Sequence, residues 1–234
     1  MWLRTVVCIA LLASQDLVPA QAGPRSQEPG RPGRADPPPP LTQSLDALAD
    51  LVKRVPNISL SVNFAEFRVR VVVSKLQPLA AQWPAQSPAD YRANLDRYVS
   101  ALDQAIRAND PDRLQAVLEA LADDLEIKLE HCDRSGGKLG GSVVVTVRTV
   151  SGEQESRNWQ VFYLPKVFEA MGGVSADRFP QLSSPTIETL IPGRYVMWVR
   201  DTTGEHTSEK SLVKVGEGKK DLLVELVVPP ESPR

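Results

Sequence analysis

Glu130, His131, Cys132 and Asp133 stand side by side in the stretch LEHCD. Their types are those that ligate zinc or activate a nucleophile. Their spacing works against both uses. Neighbours on a continuous helix point about 100° apart, so adjacent donors do not converge on one ion. The other histidine, His206, falls in an expected turn far along the chain. Cys132 instead continues an apolar stripe three residues after Leu129, which predicts a packed thiol.

Other chemistry finds less support. Ser183 and Ser184 precede Pro185 but form no nucleophile elbow. A serine-histidine-acid triad would have to recruit His131 or His206 by folding alone. The stretch GGKLGG at 136–141 lacks the spacing, and the following Ser or Thr, of a phosphate-binding loop. Asp123 and Asp124 fall on the polar side of an expected helix, where a solvated face is the ordinary reading. These residues predict a protein that is not an enzyme, with no catalytic residue, no cofactor and no metal. A hydrolase with its site at the domain junction, near His131, Cys132 and Asp133, stands as an alternative.

Binding chemistry has more material. In LIPGRYVMWVRD, Pro192-Gly193 forms a turn and the following residues alternate. Tyr195, Met197 and Val199 suit a core. Arg194, Val196, Trp198 and Arg200 point the other way. Trp198 is expected to be covered from within, by the 164–185 segment or the helical bundle. The alternative is a partner, since an aromatic anchor flanked by arginines has the composition of an interface hot spot. Trp159 and Tyr163, together with Trp198, would stack on sugar rings if they share an exposed face. Phe168 and Phe179 give apolar weight to a long segment, 164–185, which reads as a flap packed on a sheet or as a binding loop.

The chain has 234 residues, 42% hydrophobic and 24% charged, with a net charge of -2. That balance is globular and offers no basic footprint for nucleic acid. Residues 1–22 read as a cleaved signal peptide: Arg4, an apolar run from Val6 to Ala13, and Ala20-Gln21-Ala22 as a small-x-small cleavage site. The run is far short of the roughly 20 residues that span a bilayer, and no later segment spans one. Secretion or a periplasmic location follows, with mature protein from Gly23. Cleavage would remove Cys8 and leave Cys132 without a partner for an internal disulfide.

Residues 23–41 form a proline-rich linker expected to be disordered. From residue 42 the texture is helical. Leu45, Leu48, Val52 and Val55 follow 3–4 spacing up to Pro56. FRVRVVV alternates like a strand, yet Ile58, Val62, Ala65, Val69, Val72, Leu76 and Leu79 keep a helical period, which predicts a helix. Ser87-Pro88 and Asp110-Pro111 each open a further helix. Residues 42–135 are therefore expected to be an antiparallel helical bundle. After the glycine-rich joint at 136–141 the period becomes two. Residues 142–229 are expected to be an antiparallel β-sandwich, with a disordered tail at 230–234. The fold class is α+β in two domains.

SVVVTVRT, LIPGRYVMWV and LLVELVVP resemble the strands of carboxypeptidase regulatory-like and Cna protein B-type modules, which are transthyretin-like β-sandwiches. The resemblance covers about residues 140–229 and rests most on Leu190 to Tyr195. It implies a structural or accessory binding role and brings no catalytic residues. The helical half resembles no such family. The expected function is a non-catalytic, exported accessory protein, presenting both parts to an envelope or extracellular protein. The alternative partner is a small ligand or carbohydrate held by exposed aromatics.

Overall fold

The structure is a computed structural model that describes residues 41–81, 89–134, 141–182, 184–216 and 220–229. The expected signal peptide, nearly all of the proline-rich linker, the Ser87-Pro88 cap, most of the glycine-rich joint and the tail lie outside these residues. Residues Pro39–Arg234 form one compact unit. Helices occupy its N-terminal half and strands in two sheets its C-terminal half, an α+β arrangement.

Four helices come first: α1 (Leu41–Val52), α2 (Leu60–Ala81), α3 (Ala89–Ala108) and α4 (Pro111–Arg134). Helix α1 starts at Leu41, inside the expected linker, and Leu41 is buried. The ambiguous FRVRVVV stretch is helical. Val62, Ala65, Val69, Val72 and Leu76 recur at helical spacing and all enter the core. A strand could not bury that set on one face. Only Asn109 and Asp110 separate α3 from α4. Asn109 takes a positive φ of 52°. Asp110 Oδ1 accepts from the N–H groups of Asp112 and Arg113 at 3.1 and 3.2 Å, capping α4.

The strands are β1 (Val143–Ser151), β2 (Gln154–Glu155), β3 (Trp159–Pro165), β4 (Asp177–Arg178), β5 (Thr186–Leu190), β6 (Gly193–Asp201), β7 (Ser211–Val215) and β8 (Asp221–Val227), with a short helix α5 (Lys166–Met171) after β3. One sheet runs β2-β1-β5, with β8 also paired to β1. The other runs β4-β3-β6-β7. The pairings are antiparallel except one: β8 runs parallel to β1, from Val144↔Asp221 to Val150↔Val227.

Two apolar clusters result. Val143, Val145 and Val147 of one sheet meet Val161, Tyr195, Met197 and Val199 of the other. The helical stripes form the second cluster, and Leu164, Val167, Phe168 and Met171 join it from beyond the joint. The 164–185 segment thus splits its anchors. Phe168 and Met171 enter the helical core, Phe179 enters the β core, and Leu182 stays 52% exposed. Arg113 of α4 donates to the Met171 carbonyl at 2.5 Å, tying the end of α5 to α4.

Candidate functional site

The two-faced strand β6 explains the Pro-Gly turn that starts it. Tyr195, Met197 and Val199 face the β core, while the opposite face meets the helices. At the turn, α4 comes against the backbone. A Cβ on Gly193 would stand 2.2 Å from Asp124 Oδ1, so only glycine fits. Asp124 Oδ1 accepts from Arg194 N–H at 2.9 Å. Asp124 Oδ2 accepts from Tyr98 Oη at 2.6 Å and from Lys128 Nζ at 2.5 Å. Lys128 Nζ also donates to the Pro192 carbonyl at 2.6 Å. The solvated role expected of Asp124 is therefore corrected: it is 1% exposed and ion-paired with Lys128, itself 1% exposed. Burial pushes the Lys128 ammonium down, against the pull of Asp124. Burial, followed by the Asp124 charge, pushes the Tyr98 hydroxyl well up.

Asp123, one residue earlier, faces a groove of about 440 Å³ bounded by α2, α4 and the β6–β7 pair. It accepts from Arg68 Nη2 at 2.7 Å and pairs with Arg194 Nη1 at 2.8 Å. Arg68 also forks onto Glu126, at 3.1 and 2.8 Å. These hydrogen bonds hold the Arg68 guanidinium charged well beyond its ordinary range. Four cations (Arg68, Lys75, Arg194 and Lys214) face four carboxylates (Asp123, Glu126, Glu130 and Asp133), so the groove carries no net charge. Such a surface does not suit a polyanion.

Phe67 and Val71 line the apolar side of the groove. They continue a ridge along the outward face of α2. Leu60 is 89% exposed, Phe64 65% and Phe67 50%. Positions 60, 64, 67 and 71 have the same helical spacing as the buried stripe but lie on another face. Arg70 sits 5.5 Å from the Phe67 ring centroid. Helix α2 is therefore apolar on two sides, one covered by the molecule and one open.

The residues expected to bind are dispersed. Trp159 is buried in the β core, its Nε1 donating to Ser156 Oγ at 3.0 Å. Tyr163 packs edge-on to Phe179 at 5.4 Å. Trp198 pairs with the other face of β3: it stacks on Phe162 at 5.8 Å and packs against the helical core. The three aromatics thus do not share a face, and the sugar platform expected of them is not formed. Arg200 lies 5.4 Å from the Phe162 ring and Lys210 5.5 Å from Trp198. Phe168 is buried under Arg97, 4.0 Å from its ring. Of the expected set, Arg194 alone lines the groove.

His131 and Cys132 are both buried, and burial lowers the histidine and raises the thiol. His131 Nε2 would meet a Cβ on Gly141 at 2.5 Å. Among the described residues no three metal-ligating side chains come together. Sequence reasoning did not single out Leu60, Phe64 and Phe67 as an exposed row. Their signal was a second row at helical spacing, Leu60, Phe64, Phe67 and Val71, beside the buried stripe of Val62, Ala65, Val69 and Val72, the mark of a helix apolar on two faces.

No protein-family model matches this sequence, and no curated protein matches it.

Proposed function

We propose that this chain is an exported, non-catalytic binding protein, built from an antiparallel helical bundle and a transthyretin-like β-sandwich. On this reading it docks a protein of the cell envelope or the extracellular space through α2. The observation that carries the proposal is the open ridge of Leu60, Phe64 and Phe67, running into the α2–α4 groove. Exposed apolar rows of this kind mark interaction sites. The occupant we assign is an amphipathic helical segment of the partner, apolar on one face with charges of both signs beside it. That chemistry matches a ridge and groove where cations and carboxylates balance. The non-catalytic part is supported by the burial of His131 and Cys132, the side chains a hydrolase at the junction would need.

The test is a paired Phe64→Ser, Phe67→Ser variant. Both residues are exposed, so its melting temperature should stay near that of the parent chain. Its co-purification with an envelope or extracellular partner should be lost. A variant that keeps the same partner overturns the α2 assignment. N-terminal sequencing of exported protein should begin at Gly23, and an intact Met1 on the functional protein would overturn export by a cleaved signal.

A further inference from the structure

A second cavity, of about 480 Å³, lies among α3, β3, β4 and the β5–β6 corner, and shares no lining residue with the α2–α4 groove. Tyr163, Tyr195, Leu190 and Ile191 supply aromatic and apolar walls. Three other lining residues supply directed polar chemistry. Asn94 is 7% exposed, and its Oδ1 has no hydrogen-bond partner. Asn94 also acts on the Tyr98 hydroxyl in the direction of the ionised form, against the larger effect of burial. Tyr98 is itself held by Asp124. Asn94 thus brings an unpaired buried acceptor to the lining of the cavity. A buried acceptor of this kind is costly unless a donor reaches it.

Arg97 and Asp177 are exposed and bring opposite charges to the same cavity. Arg97 is steadied by the Phe168 ring beneath it. Burial and then Asp177 push the Tyr163 hydroxyl up to about 12. Tyr195 is pushed well up by burial first and by carboxylates including Asp177, while Arg97 acts the other way. Both charges therefore lie within range of one ring.

We propose that this cavity binds a small zwitterion of the α-amino-acid class. The ammonium is met by Asp177 and Asn94 Oδ1 beside the Tyr163 ring, the carboxylate by Arg97, and an apolar side chain by Leu190 and Ile191. A neutral polyol would satisfy Asn94 but leave the guanidinium unmatched. A simple anion would meet Arg97 and be repelled by Asp177. A zwitterion answers both charges and the buried acceptor together. This inference goes beyond the docking surface on α2 and does not depend on it.

Calorimetric titration of the full chain with L-leucine and L-phenylalanine tests it. N-acetyl-L-phenylalanine and L-phenylalaninamide serve as probes that lack one charge each. The free amino acids should bind below about 1 mM, and each blocked probe should bind about tenfold more weakly. Arg97→Gln should erase the preference over the amide, and Asp177→Asn the preference over the N-acetyl compound. Both residues are exposed, so both variants should melt with the parent chain, and Arg97→Lys should recover part of the preference. Absence of heat up to about 10 mM amino acid overturns the proposal. So does equal affinity for the blocked probes, or binding of D-glucose that neither variant changes.

Discussion

Lys128 is enclosed with its ammonium between Asp124 and the Pro192 carbonyl. Desolvating the two ions is costly, but removing only one of them costs more, because the other stays buried and uncompensated. Lys128→Met should therefore destabilise the protein by about 3–5 kcal/mol in urea denaturation. Adding Asp124→Leu to it should recover part of that loss, after which the Tyr98 hydroxyl and the Arg194 N–H are left without their acceptor. A double variant no more stable than Lys128→Met would show that the ions are not coupled. His131 supplies a pH dependence of known sign. Burial lowers its folded pKa, so below its unfolded pKa of about 6.5 the unfolded chain binds the extra proton. The His131 contribution is full above that pH and is lost as pH falls toward and through the folded value. Melting temperatures measured from neutral to mildly acidic pH should fall more steeply for the parent chain than for His131→Gln. Parallel curves would remove His131 from the account.

Strand β6 and helix α2 each present two apolar faces, and they differ in what covers the second. On β6 the second face is closed from within. Trp198 stacks on Phe162 and packs on the helical core. Truncating a half-buried tryptophan should cost about 2 kcal/mol, below the range for a fully buried one. Trp198→Ala should lower stability by that amount and leave partner binding through α2 intact. Near-parent stability would mean that its contacts with Phe162 and the helices contribute little. The helical period from Val62 to Leu76, the cap at Asp110 and the change of period after the joint were all legible in the sequence, because local spacing dictates them, whereas Ile58, expected in the same stripe, lies before α2 and is exposed. The burial of Asp124 was not. An aspartate and a lysine four residues apart look like an ordinary surface pair, and only the arrival of Gly193, 69 residues later in the chain, takes them out of water. Likewise Trp159, Tyr163 and Trp198 could be listed as aromatics, but their faces depend on the register of β3 against β6.

At the scale of the whole chain, the helices and sheets do not keep separate interiors. Leu164, Val167, Phe168 and Met171 come from the β half and finish the helical core. Asp124 and Lys128 of α4 satisfy backbone groups at the start of β6. Residues 39–234 should therefore melt in one step, with equal calorimetric and van't Hoff enthalpies. Two resolved transitions would mean that the shared contacts are too weak to couple the halves. The enclosed Lys128–Pro192 contact has one more consequence, for a chain that has been cut. A nick between Arg134 and Gly141 breaks no contact across the α4–β6 seam, since each partner in it lies outside that stretch. The two pieces would stay bound through a pre-shaped, mostly apolar surface keyed by the buried Lys128–Pro192 and Asp124–Arg194 hydrogen bonds, with the Asp123–Arg194 and Glu130–Lys214 ion pairs beside them. Expressed separately, they would find one another as a split protein, and Lys128→Met would turn that reassembly off.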